Sequence, residues 1–189
     1  MRTTRKIFVA AAVAAIAAVG ASTAHAETTK CTGALAAVTV DNVKVPRGAV
    51  CTLTGTRVEG SIKVGSGATL LAVNVRVKGN VQAKDSTAVT VNGASKVGGS
   101  IQVDDGGAVT IRGTRIKGEV QLKENFGVIL VSTNRVNGDV QLFENDGAQI
   151  VSTNRINGNL QCKENDSDPT GGSNVVGGNA EDQCEDLAL

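Results

Sequence analysis

Six cations stand at one spacing: Arg57, Arg76, Lys96, Arg115, Arg135 and Arg155 follow one another at intervals of 19 or 20 residues, with Val175 in the place of a seventh. Guanidinium groups presented in a row suit the carboxylates or phosphates of an anionic polymer. Held ~4.8 Å apart on neighbouring strands, like charges also repel by ~1 kcal/mol in a water-like dielectric. The column therefore needs a compensating anion. Glu59, Glu119 and Asp139 are the nearest internal candidates in the sequence. A cell-wall polymer or polysaccharide of the envelope is the external one. A solvated or internally paired face is the plainer reading, since exposed ion pairs are ordinary surface chemistry.

The four cysteines repeat the same interval. Cys31 and Cys51 are twenty residues apart, and Cys162 and Cys184 twenty-two. In a coil of that period such residues sit on adjacent turns, ~4.8 Å from one another, within reach of a disulfide. The spacing predicts Cys31–Cys51 near the N-terminal end and Cys162–Cys184 near the C-terminal end. The other two connectivities would join opposite ends of a rod. Each bond closes a loop worth ~3 kcal/mol in the chain-entropy account. No CxxC spacing occurs, which disfavours zinc.

A second periodic column is acidic: Asp85, Asp105, Glu124, Glu144 and Glu164, the last three followed by Asn125, Asn145 and Asn165. Stacked oxygens of this kind are the ligands Ca²⁺ takes. Lys84, Lys123 and Lys163 stand beside them, however, and no calcium-loop motif occurs. Neutralisation by lysine is the expected arrangement, and no metal or cofactor is implied.

Catalytic chemistry is narrowly limited. The chain has one His, no Trp and no Tyr, and that His is His25, inside the leader described below. Triad and His-based acid–base chemistry are thereby excluded from the mature chain. Carboxylate, Lys and Arg chemistry of the kind β-helical polysaccharide lyases use is the enzymatic alternative. Here charges recur in columns instead of converging on one cleft, and no aromatic platform for a sugar ring is present. No enzyme is expected. Phe143 falls at an outward position and Phe126 in a turn.

The elements that place these columns follow from glycine. Gly60, Gly79, Gly99, Gly118, Gly138, Gly158 and Gly178 recur about every twenty residues, the mark of a coil stacked on copies of itself. Two positions after the glycine stand Ile62, Val81, Ile101, Val120, Val140 and Leu160, and four after it Val64, Ala83, Val103, Leu122, Leu142 and Cys162. Between them run Lys63, Gln82, Gln102, Gln121, Gln141 and Gln161. That alternation is a strand with aliphatics inward and glutamines outward, whose amides can bond along the axis. Val58, Val77, Val97, Ile116, Val136, Ile156 and Val176 form a second inward column. A third strand reads through Ala88–Val91, Ala108–Ile111, Val128–Val131 and Gln149–Val151. Glycines with Asn134, Asn137, Asn154 and Asn157 are expected to supply positive φ or side-chain bonds at the corners.

The resulting class is all-β: a single-stranded parallel β-helix, or β-solenoid, of about seven coils of 19–20 residues, triangular in section and capped at both ends by disulfides. At ~4.8 Å per coil its regular part is ~30–35 Å long. A regular Thr array, which an ice-binding face would need, breaks where Thr90 and Thr110 give way to Leu130 and Ile150.

Residues 1–26 read as a signal peptide: Arg2, Arg5 and Lys6, an apolar run from Ile7, and Ala24-His25-Ala26 before the cut. Residues 27–50 form the N-terminal cap or first coil, 51–165 the regular solenoid, and 166–189 a degraded coil, C-terminal cap and acidic tail. Losing the leader takes Lys plus Arg from 19 to 16 against 18 Asp plus Glu, a net charge of −2. Nucleic acid is disfavoured as a partner, and no membrane association is expected after cleavage. Monomer and end-to-end association both stay open.

The pattern N-R-[VI]-N-G-[DN]-[VL]-Q at Asn134–Gln141 and Asn154–Gln161 resembles a group of small secreted proteins of high-GC Gram-positive bacteria. So does the closing Asn174-Val175-Val176-Gly177-Gly178-Asn179…Gln183-Cys184. That resemblance implies secretion and assigns no activity. The coils are also similar to those of bactofilins, polymer-forming β-solenoids of the cytosol, from which this chain departs by its leader and cysteines. The reading from sequence is a rigid structural or adhesive module at or near the cell surface. The alternative is a binder of anionic envelope polymer through Arg57, Arg76, Lys96, Arg115, Arg135 and Arg155.

Overall fold

The computed structural model describes residues 26–189. The leader, except Ala26, lies outside the described residues. Each circuit of the chain lays down three short strands, and every strand pairs in parallel with its counterparts one circuit away. Three sheets result, of nine, eight and eight strands. The first sheet begins at Thr28–Lys30 and Asn42–Val45, continues through Val81–Lys84 and Val120–Lys123, and ends at Ala180–Asp182. The second runs from Ala34–Ala36 to Thr170–Gly172. The third, of two-residue strands, runs from Thr39–Val40 to Val175–Val176. This is the expected β-solenoid.

The core is the shared interior of the three sheets. Ile62, Val81, Ile101, Val120, Val140 and Leu160 stack along the first sheet, and Val58, Val97, Ile116, Val136 and Ile156 along the third, all buried. Burying one Val, Leu or Ile is worth about 1.5–3 kcal/mol, which is how strands of two residues persist. Gln149 shows how strictly the alternation rules. It takes the inward place of Ile129, its register partner, is 1% exposed, and donates to the Gly147 carbonyl at 2.8 Å while its own Oε1 has no partner.

The periodic glycines have a different cause from the one expected. None of the seven has positive φ. They are required by close approach: at six of them a polar side chain of the preceding coil fills the space a Cβ would need, and at Gly138 the Gly118 carbonyl does. A methyl on Gly79 would fall on the Ser61 hydroxyl and 2.8 Å from the Gly60 carbonyl oxygen; one on Gly99 would fall on the Asn80 amide oxygen. Those oxygens are already in use. Ser61 Oγ accepts from the Asn80 N–H at 3.0 Å, Asn80 Oδ1 from the Ser100 N–H at 2.8 Å, and Asp139 Oδ1 from the Asn159 N–H at 2.7 Å.

Positive φ falls instead on two other corner columns. One is Asp85, Asp105, Glu124, Glu144 and Glu164; the other is Gly55, Asn74, Gly93, Gly113, Thr133, Thr153 and Ser173. Asn134 and Asn154 are therefore not the left-handed residues of their corners. They are buried, and they supply side-chain bonds.

The two ends differ. Both disulfides form as expected, with Cα atoms 5.5 Å apart for Cys31–Cys51 and 5.3 Å for Cys162–Cys184. At the C-terminus a short helix, Glu185–Leu187, folds over the last coil with Leu187 buried, and the Leu187 carbonyl accepts from Asn174 Nδ2 at 2.9 Å. At the N-terminus the segment read as cap or first coil is a coil in register, carrying strands Thr28–Lys30, Ala34–Ala36 and Thr39–Val40. Pro46 turns the corner of the following coil.

Candidate functional site

The third sheet carries the cation column. Its strands are two residues long because the corners on either side leave no more, and alternation turns the first residue out and the second in. Register places Arg57 beside Arg76, Arg76 beside Lys96, Lys96 beside Arg115, Arg115 beside Arg135, and Arg135 beside Arg155, with Val175 last. All six cations are exposed. The ladder read from sequence is thus a continuous row.

Its compensation is confined to one end. Glu59 contacts both Arg57 and Lys78, and hydrogen bonds from Lys78 and then Arg57 hold its carboxyl below the ordinary range. Among the described residues, Arg76, Lys96, Arg115, Arg135 and Arg155 make no ion pair. Glu119 and Asp139, expected as partners, do not pair with the column. They stand past the glycine corner that separates the third sheet from the first, where Asp139 bonds the Asn159 backbone.

Beside the later arginines lies a shallow groove of about 360 Å³, lined by Arg115, Arg135 and Arg155 and by Thr133, Thr153 and Ser173. The hydroxyl residues are exposed at the left-handed corner, with φ of 58° at Thr133, 59° at Thr153 and 58° at Ser173. Sequence reasoning passed over them, although the repeated Ser-Thr-Asn-Arg at 132–135 and 152–155 was in view. The asparagine between hydroxyl and guanidinium is locked. Asn134 Nδ2 donates to the Ile111 carbonyl at 2.8 Å and to Asn154 Oδ1 at 3.1 Å. Asn154 Nδ2 donates to the Val131 carbonyl at 2.8 Å and to Asn174 Oδ1 at 2.9 Å.

The other ladders are internally satisfied. The glutamine amides pass hydrogen bonds one way along the first sheet, from Gln82 to Gln102 at 3.0 Å, Gln121 to Gln141 at 3.1 Å and Gln141 to Gln161 at 2.9 Å. The last ends on the Glu181 carboxylate at 2.7 Å, a charge-assisted terminus. In the acidic column Asp104, Asp105 and Glu124 bring oxygens within 4.8 Å of one another. Lys84 Nζ lies 2.8 Å from Asp104 and 3.0 Å from Asp105, and Lys123 Nζ 2.6 Å from Glu124. The Lys84 hydrogen bond holds Asp105 low, while Asp104 and Asp105 push the Lys84 ammonium up and Glu124 does the same to Lys123. Asn125, Asn145 and Asn165, which follow the acids in sequence, point inward as a second buried ladder, with Asn125 Nδ2 donating to Asn145 Oδ1 at 2.9 Å and Asn145 Nδ2 to Asn165 Oδ1 at 2.9 Å. Phe126 is 65% exposed in its turn, and Phe143 is half-buried between Lys123 and Lys163 in register.

Fold and ladders together define a disulfide-stapled parallel β-solenoid. No protein-family model, curated protein or solved structure matches the chain. No helix among the described residues is long and apolar enough to cross a membrane, and the two disulfides fit an oxidising compartment.

Proposed function

We propose that the chain is a non-enzymatic secreted β-solenoid, a rigid structural and adhesive module at or near the cell surface. The observation that supports this is the continuity of its ladders. Backbone, glutamine and asparagine bonds all run along one axis and bind each coil to the next, so the polar groups of the faces hold the rod together. Cell fractionation tests it. The secreted chain is expected in the surface-bound fraction, as an elongated particle in small-angle scattering; release into the medium as a compact, freely diffusing species would refute the reading.

A second reading, binding of an anionic envelope polymer through the column from Arg57 to Arg155, is favoured by the five cations that make no ion pair among the described residues. Pull-down on purified cell wall tests it directly. Binding is expected at low salt and lost near 1 M, where the Debye length is ~3 Å. Binding that survives high salt would point to the scaffold reading alone.

A further inference from the structure

We infer that the C-terminal half of the column is a discrete oxyanion site, in which Arg115, Arg135 and Arg155 act with the hydroxyls of Thr133, Thr153 and Ser173. Its ligand is a linear polyanion whose acidic groups recur at about one strand spacing. The inference rests on the polymer-binding reading and narrows it to one stretch of four coils, the first three of which carry an arginine.

Backbone conformation carries the inference. At the corner before each cation the chain is left-handed, with φ of 65° at Gly55, 55° at Asn74, 70° at Gly93 and 63° at Gly113. Glycine and asparagine are the residues this conformation tolerates. At the next two corners the same conformation is imposed on threonine, a β-branched residue for which it is a steric outlier. Serine takes the last. The other left-handed column contains only unbranched Asp and Glu. Strain of this kind persists where a side chain is needed at that point. The hydroxyls stand at the strained corners of the coils that carry Arg135, Arg155 and Val175, while Gly113 turns the corner before Arg115.

The same coils are the ones that are locked. Asn134 and Asn154 separate hydroxyl from guanidinium, and their backbone N–H groups donate to Asn154 Oδ1 and Asn174 Oδ1, both at 3.0 Å. Earlier coils place Thr56, Val75, Ser95 and Thr114 at this position, and of these Thr114 joins the asparagine ladder, its N–H donating to Asn134 Oδ1 at 2.9 Å. The backbone that carries these donors is anchored by a buried network, so it need not be ordered on binding. The groove contains donors and no carboxylate, so it selects anions. With no aromatic side chain among its walls, it recognises the acidic groups of a polymer and not the sugar faces. At ~4.8 Å per coil three arginines span about 10 Å, room for a short run of acids. Arg57, by contrast, is already neutralised by Glu59.

Fluorescence anisotropy of the secreted chain with two labelled probes, inorganic polyphosphate and polygalacturonate, tests the site, and the tighter probe tells phosphate from carboxylate. Changing Arg115, Arg135 and Arg155 to Gln is expected to weaken binding by about 100-fold or more, and Arg57→Gln with Arg76→Gln by less than about twofold. Replacing Thr133, Thr153 and Ser173 by Gly is expected to weaken binding about tenfold, while the thermal midpoint holds or rises because strain is removed. That split separates a binding role from a structural one. If the triple arginine variant unfolds, Arg135→Gln alone is expected to lose about tenfold. Equal loss in the Arg57/Arg76 variant overturns the localisation and leaves whole-column binding standing. Undiminished binding by the glycine variant overturns the hydroxyl role and with it the site. Failure of the unmodified chain to bind either probe overturns both readings.

Discussion

At the scale of single residues, what holds this protein is the use of one side chain's oxygen by the next coil's backbone. Gly99→Ala illustrates it, since the added methyl would meet the Asn80 oxygen that caps the Ser100 N–H. Overpacking there, with loss of that bond, is expected to cost about 2–4 kcal/mol in urea unfolding. Gly113→Ala is a different experiment: it meets the Gly93 carbonyl oxygen at 2.9 Å and also forces an L-residue to a φ of 63°. Asn145 tests the buried ladder. Its Oδ1 accepts from both the backbone N–H and Nδ2 of Asn125, so Asn145→Val leaves two buried donors unpaired. A loss of about 3 kcal/mol is expected, and a loss below about 1 kcal/mol would mean water replaces the amide.

At the scale of elements, the three sheets do different work. The first carries the glutamine ladder, the second the widest inward strands, and the third, with two residues per strand, serves mainly to present the cations. The disulfides tie end coils to their neighbours. Cys162→Ser with Cys184→Ser is expected to lower stability by about 3 kcal/mol and to free the terminal helix, whose Leu187 covers the last coil. Proteolysis of that variant should then cut within residues 183–189 before any coil is lost. Mass mapping of the native protein should return Cys31–Cys51 and Cys162–Cys184; a Cys51–Cys162 link would contradict the stacked coils.

At the scale of the molecule, contacts are made between neighbouring coils, so stability is a sum of coil and interface terms. Among the described residues the N-terminal coil has a partner on one side only, while the last coil is covered by the terminal helix. Amide exchange is therefore expected to be faster over residues 28–40 than over residues 170–182; equal protection at both ends would show the first coil to be covered. Surface ion pairs set the pH range. Glu59 and Asp105 have depressed folded values, so their contribution is present above the ordinary carboxylate range of about 4 and is lost as pH falls through the folded values. Lys84 and Lys123 are raised, so theirs is complete below about 10.4 and is lost as pH rises through the folded values. Thermal midpoints should be flat between these limits and fall outside them, with Lys84→Gln blunting the alkaline fall.

Sequence alone determined the architecture, the face each column occupies, the disulfide partners and the lysine neutralisation of the acidic column. Each follows from a local rule, alternation within a strand or repetition between coils, that leaves its mark in residue type. It also put the glycines where they belong while missing their reason. Whether a glycine answers a positive φ or a neighbour's oxygen depends on atoms a full coil away. Only the tertiary structure decided that the asparagines turn inward, that Glu119 and Asp139 stand round a corner from the arginines, and that Thr133 and Thr153 bear the left-handed turns. These are matters of direction at a corner. A corner's geometry is set by the two sheets it joins, and no column of letters records it.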